Sequence, residues 1–187
     1  IIELHKPENI GNYKKNFYQR LAFDEIFSTF LVNSEIRKKI KKIKKKGKIV
    51  DKIKQNKILK KLEFTLTHDQ LKTLEEINND LSSTNKMFRL LQGDVGSGKT
   101  IVSLLAAYNT VNSGFQVAFM APTEILARQH FNFAKKLFTS QINIELISGK
   151  SEYKTKKEIL KKIENNEINI IFGTHAIFQK KVHFKNL

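Results

Sequence analysis

Gly93-Asp94-Val95-Gly96-Ser97-Gly98-Lys99-Thr100 fits the pattern G-x-x-x-x-G-K-[ST] at every specified position. The spacing has a chemical reason. Glycines at 93, 96 and 98 let the backbone turn so that successive N–H groups face inward and surround phosphate oxygens. Lys99 then reaches the β- and γ-phosphates, and the Thr100 hydroxyl is a ligand for Mg²⁺. The helix opening at Lys99 adds the positive end of its dipole. The stretch predicts a nucleotide held by Gly93, Asp94, Val95, Gly96, Ser97, Gly98, Lys99 and Thr100, with Lys99 and Thr100 carrying the chemistry. Its confirming context is a strand before it and a helix after it, read here at Arg89–Gln92 and 99–113.

Outward from the loop, short apolar runs alternate with helical segments. Phe115–Ala121 precedes a helix at 123–138, Ile142–Ile147 a helix at 151–165, and Ile168–Phe172 a further helix start. Alternation of this kind predicts a parallel sheet wrapped by crossover helices. Ile168-Asn169-Ile170-Ile171-Phe172 is nearly continuous, as a strand buried on both faces should be. Gly114 is placed as a helix C-terminal cap and Thr123 as an N-cap. Residues 13–35 read as helix through Phe17, Leu21, Phe27, Phe30 and Leu31. The fold expected is thus α/β, an incomplete P-loop parallel sheet over residues 63–187, preceded by an all-helical arm over 1–62.

The composition bounds the function. Hydrophobic residues make up 40% of the chain and aromatics 10%, enough to fold, and the absence of cysteine excludes a disulfide scaffold or a thiolate site. No apolar run approaches a membrane span, and Ile1-Ile2-Glu3-Leu4-His5-Lys6-Pro7 is no signal peptide, so the cytoplasm is the expected compartment. With 34 Lys+Arg against 18 Asp+Glu the net charge is +16. Fourteen Lys/Arg and one acid, Asp51, fall between Arg37 and Lys61, so this window holds +13 of the total. Two readings stay open there, a phosphate-tracking surface and lysines that merely solvate a helix. Apolar Ile36, Ile40, Ile43, Val50, Ile53 and Leu62 recur at helical spacing, and Gly47 is placed to separate two helices.

Other segments could carry chemistry. In Phe64-Thr65-Leu66-Thr67-His68-Asp69-Gln70, Thr67 and Gln70 make a capping box for a helix at 68–81. Gln70 is also an amide able to read adenine, with Phe64 or Leu66 packed near the base; the bare residues favour the cap. Pro122, Thr123, Glu124, Gln129 and His130 stand where a strand gives way to a helix, a position rich in unpaired N–H groups. Gly173, Thr174 and His175 repeat the arrangement, and Ser148 and Gly149 do so more weakly. In a parallel sheet all these turns lie at the carboxyl ends of the strands, where ligands bind. Three beside a phosphate loop favour a nucleic-acid backbone track over routine turns. His130 and His175 lack partners at metal-ligand spacing, so no metal beyond nucleotide-bound Mg²⁺ is expected.

Taken in order, Arg89–Thr100, Ala121–His130 and Gly173–Gln179 resemble motifs I, Ia and Ib of the superfamily 2 helicases, and most closely the group that remodels branched DNA. Phe64–Gln70 is similar to that family's adenine-recognition segment, and Arg20-Leu21-Ala22-Phe23-Asp24-Glu25 resembles the helix joining a DNA-binding wedge domain to the motor. The resemblance implies a RecA-like lobe that uses ATP and Mg²⁺. It implies a monomeric DNA translocase acting on stalled forks and Holliday junctions, with DNA backbone at the three turns. The transcription-repair coupling factor shares this motor. Ser97, where that relative usually carries an aromatic, and Glu124, where it usually carries Thr, favour the branched-DNA group. Motif II, an apolar strand ending in Asp-Glu-x-His, is absent before Leu187, and the first residue is Ile1. Its Asp would hold Mg²⁺ and its Glu would position the attacking water. The expectation is a truncated, catalytically incomplete piece of a larger enzyme. Two other classes compete: a kinase using the same loop, and a non-catalytic DNA-binding module built on residues 37–61.

Overall fold

Tyr13–Lys42 contains neither glycine nor proline and forms one helix of 30 residues, α1, roughly 45 Å long. Arg20 pairs with Asp24 at 3.2 Å and Lys38 with Glu35 at 3.0 Å along its surface. Phe23, Ile26, Phe27, Phe30 and Leu31 are all exposed, and the Phe23 and Phe27 rings stack at 5.7 Å. The expected helix at 13–35 therefore runs on into the basic stretch. The computed structural model describes residues 13–138, 142–148, 153–178 and 182–187. These group into two compact units, residues up to 44 with 85–88, and 45–84 with 89–187. In the first, Lys44 and Asn85 form an antiparallel bridge and the Lys86 N–H donates to Ile43 O.

The second unit starts from the basic stretch, which is helical only in part. Gly47 does separate two helices, but the chain around it, 45–51, is not helical and bonds to the end of a third. The Lys45 N–H donates to Thr84 O at 2.7 Å and the Lys48 N–H to Leu81 O at 2.9 Å. A Cβ at Gly47 would collide with the Ser82 carbonyl, so only glycine lets the strands of chain approach this closely. Helix α2, Lys52–Leu59, starts at Asp51, whose carboxylate accepts from the Ile53 and Lys54 N–H groups. Its Ile58 is buried in the core of this unit, so the unit reaches back to Lys45, beyond the boundary expected near residue 62.

Helix α3, His68–Ser82, carries the expected capping box: Gln70 N–H donates to Thr67 Oγ1 at 3.3 Å and Thr67 N–H to Gln70 Oε1 at 2.9 Å. Helix α4, Lys99–Asn112, buries Ile101, Val102, Leu104 and Leu105 and ends at Gly114, φ +83°. Then follow β1 (Val117–Met120), α5 (Glu124–Leu137), β2 (Ile144–Ile147), α6 (Tyr153–Glu164), β3 (Ile170–Gly173) and a 3₁₀ turn at His175–Phe178 in place of the expected helix start. Thr123 caps α5, its Oγ1 accepting from the Leu126 N–H.

The three strands are parallel in the order β1-β3-β2, with Met120, Gly173 and Ile147 in register at their carboxyl ends. β3 is buried along its length, as its continuous apolar run predicts. Ile170 and Phe172 face one core with α3, α4 and α5, while Ile171 faces a second with Ile147, Ile159 and Ile163. Successive side chains on opposite faces account for the split.

The strand expected at Arg89–Gln92 is not formed. A strand requires a neighbour to take its N–H and C=O groups, and neither β1 nor β2 pairs with this segment. Leu91 still packs against the core, whereas Leu90 is exposed. Among the described residues no helix is long and apolar enough to cross a membrane.

Candidate functional site

The buried face of α4 fixes a rigid helix, and the phosphate loop sits on its first turn. Gly96 and Gly98 are left-handed, φ +81° and +79°, a conformation that costs any L side chain energy. Gly98 has a second reason to lack a Cβ, which would strike the Gln70 amide. That amide donates through Nε2 to Ser97 O at 2.9 Å. Gln70 thus caps α3 and touches the loop at once. A carboxamide has two N–H donors and two acceptor lone pairs. The cap uses one acceptor and Ser97 one donor, so one of each remains for the edge of a base.

Lys99 Nζ turns back across the loop, donating to Gly93 O at 2.8 Å, Asp94 O at 2.6 Å and Ser97 Oγ at 3.4 Å. Among the described residues it makes no ion pair with a carboxylate; carbonyl dipoles balance its charge. Phosphate oxygens can therefore replace these acceptors without breaking a salt bridge. Gln70, Thr73, Gln92, Gly93, Ser97 and Lys99 share one cavity of about 370 Å³. Phe64 is not among its walls. It lies half-exposed in a larger open groove with Ile53, Lys57, Leu66 and Leu71. Thr100 stands at the second residue of α4, and no group of three or more metal-binding side chains occurs among the described residues. The Thr100 hydroxyl is an oxygen ligand of the kind Mg²⁺ takes alongside phosphate oxygens.

The second set of candidates lies at the carboxyl edge of the sheet, where the register aligns Met120, Gly173 and Ile147. Pro122 and Thr123 are exposed there at the start of α5, with Thr174 and exposed His175 after β3. α4 returns to β1 through the short turn 113–116 and packs on it, so its first turn and the phosphate loop point towards the same edge. The other candidates have structural duties. Glu124 pairs with Arg128 at 3.5 Å. His130 lies about 10 Å along α5 from the cap, its ring edge-on to Phe119 at 5.4 Å, and burial there pushes its pKa below the ordinary value. Gln129 is exposed and Ser148 buried. Gly173 has no room for a Cβ, which would meet Ile177 Cγ2 at 2.6 Å and Ile147 O at 2.8 Å. Gly149 lies outside the described residues, as does Gln179.

The Lys-rich stretch resolves partly into structure. Lys45 Nζ donates to the last carbonyls of α3, Asp80 O at 3.1 Å and Leu81 O at 2.6 Å. Lys48 Nζ stands 3.8 Å over the Phe115 ring. Burial lowers the pKa of both, aided at Lys48 by the Lys45 charge and opposed at Lys45 by Asp80. Both ammonium groups are thus engaged within the fold.

A model of the DEAD/DEAH box helicases matches residues 67–187, from the α3 cap through the loop and the sheet edge. The chain belongs to this family. It is 42% identical over its whole length to the ATP-dependent DNA helicase RecG of Aquifex aeolicus, of which it covers 24%. To the RecG of Thermotoga maritima it is 41% identical over 94% of the chain and 24% of the relative. A solved structure of RecG bound to a three-way DNA junction superposes with a TM-score of 0.81 at 41% identity, over 90% of this chain and 23% of that one. A hypothetical ATP-dependent RNA helicase from Sulfolobus tokodaii shares the fold at 18% identity, TM-score 0.52, over 71% of this chain and 38% of that one. The chain spans about a quarter of the length of the RecG relatives it matches.

Proposed function

We propose that this chain is the nucleotide-gripping segment of an ATP-dependent DNA helicase that remodels branched DNA. The observation that carries the reading is the shared cavity in which Lys99 spans the phosphate loop while Gln70 keeps one donor and one acceptor unused. ATP would exchange its phosphate oxygens for the Gly93 and Asp94 carbonyls at Lys99 Nζ and offer its adenine edge to Gln70. Mg²⁺ bound to those phosphates would neutralise their charge and be held at Thr100. Residues 63–187 then carry the start of the ATP-binding lobe, with Lys45–Leu62 in the same compact unit and the arm confined to the residues before Lys45. The protein acts as a monomer in the cytoplasm.

Thr123, Thr174 and His175 supply the DNA-backbone contacts through hydroxyl, imidazole and backbone N–H donors at the strand ends, and Pro122, which has no N–H, shapes the turn that presents them. Similarity to RecG, which one of the matched structures shows on a three-way junction, supports a branched substrate. The test is anisotropy titration of the full-length protein with a three-way junction and a duplex. Thr123→Ala with Thr174→Ala should weaken junction binding by roughly tenfold and leave the salt slope unchanged, because a neutral hydroxyl releases no counterion. Unchanged affinity would contradict the backbone track.

A further inference from the structure

Among the described residues Arg89–Gln92 has no ladder partner, and a side chain ties this segment to α3. Arg89 lies four residues before Gly93, and its guanidinium grips α3 at two points. Nε and Nη2 donate to Asp80 Oδ2 at 2.8 and 2.7 Å, and Nη1 to Glu76 Oε2 at 2.7 Å. The fork geometry fits arginine and no other side chain, because a lysine ammonium cannot span two carboxylates with planar donors. The hydrogen bond to Asp80 is the chief influence raising the Arg89 pKa, so its charge is fixed at all working pH.

The other side of the loop is tied to the same helix. Gln70, two turns nearer the start of α3, donates to Ser97 O. Helix α3 therefore touches the chain on both sides of Gly93–Gly96, at Arg89 before the turn and Ser97 after it. A helix is stiff over this span, so the two contacts fix the loop's endpoints against one rod. Lys45 braces the C-terminal end of that rod through the Asp80 and Leu81 carbonyls.

We infer that Arg89 is a positioning residue for nucleotide binding, and that it orders the phosphate loop by anchoring its entry to the helix that presents Gln70. The inference takes the loop to be the nucleotide grip proposed above. Arg89 touches no nucleotide; it acts through α3.

Residue-resolved amide exchange reads the effect without nucleotide. Ser97 N–H donates to Asp94 O, and the Ile101 and Val102 N–H groups to Gly98 O, so they report loop and first-turn order. In Arg89→Gln these amides should exchange roughly tenfold faster, with Ile171 and Phe172 of β3 unchanged. Glu76→Gln with Asp80→Asn, made together, should give the same change, and adding Arg89→Gln should add nothing, since all three variants cut one connection. Arg89→Lys should fall between. Affinity for a fluorescent ATP analogue should drop in parallel. Unchanged exchange at Ser97, Ile101 and Val102 would overturn the inference. Acceleration shared by β3 would also overturn it, by making Arg89 a general stabiliser. Absence of nucleotide binding in the wild type would instead defeat the ATP reading, and the exchange result would still decide the role of Arg89.

Discussion

Gln116 and Asn186 hold each other through the backbone: Gln116 N–H donates to Asn186 O at 2.7 Å, and Asn186 N–H returns a bond to Gln116 Oε1 at 3.1 Å. The same amide donates through Nε2 to Ile163 O and Ile168 O and accepts from Lys185 N–H. One buried side chain, 3% exposed, thereby joins the end of α6, the approach to β3, the start of β1 and residues 185–186. Gln116→Ala leaves several of these groups unpaired and should cost about 3 kcal/mol in denaturant unfolding. Gln116→Glu should cost at least as much at neutral pH, because a carboxylate oxygen replaces a donor opposite two carbonyls. Equal stability of Gln116→Glu and wild type would contradict the hydrogen-bond assignment.

Gly98→Ala should damage the site twice, through the left-handed backbone and through collision with the Gln70 amide. The backbone part, about 1 kcal/mol, remains in Gly98→Ala/Gln70→Ala, whereas the collision is relieved. The double variant should therefore be more stable than Gly98→Ala alone, although Gln70→Ala by itself removes a cap and destabilises. Calorimetry of the three variants checks this reversal.

Gly173 is held by close packing, with ordinary backbone angles. Its substitution by alanine should overpack the space between β3, Ile177 and the Ile147 carbonyl and cost about 1–3 kcal/mol. Trimming the neighbour in Gly173→Ala/Ile177→Val should recover part of the loss. A fully stable Gly173→Ala would show that the turn at 174–178 yields more readily than its buried Ile177 suggests.

The His130 ring is pushed below its ordinary pKa of 6.5 by burial. The folded state thus binds its proton less readily than the unfolded state. Its contribution to stability is complete above about pH 6.5 and declines as the pH falls from there through the folded value. Urea midpoints between pH 7.5 and 5 should fall more steeply for wild type than for His130→Phe, whose ring keeps the edge contact with Phe119 without titrating. Parallel slopes would place His130 in solvent.

Much of this architecture was legible because its signals are local. The capping boxes and caps at Thr67, Gln70 and Thr123 depend on residues three apart, and the continuous run Ile168–Phe172 reports burial on both faces. The pre-loop strand was misread because Arg89–Gln92 has a strand's apolar pattern, while strand identity belongs to a neighbour that pairs with it. Gly47 is legible as a break between two helices, but the length of the non-helical chain around it is not, because a stripe such as Ile36, Ile40, Ile43, Val50 cannot show that Lys45 and Lys48 pair with the end of α3. Long-range polar contacts were invisible for the same reason. Gln55, Asn78 and Asn109 come from three helices to form a buried amide cluster, with spacings of 23 and 31 residues that carry no periodic signal. Arg89 stood inside a quoted motif without a role, since its partners Glu76 and Asp80 look like ordinary surface acids. Within the site, the loop and Gln70 were readable. That Phe64 opens into a different groove, and that His130 turns towards Phe119, depended on tertiary packing.

In the proposed function Lys99 and its loop grip ATP to drive a DNA motor. ATP hydrolysis by the full-length protein with and without branched DNA, for wild type and Lys99→Ala, beside DNA affinity for both, decides whether they do. Branched DNA should stimulate the wild type, and Lys99→Ala should reduce turnover by at least a hundredfold while binding the junction within about twofold of wild type. Turnover that survives Lys99→Ala, or junction binding lost together with it, would contradict the account.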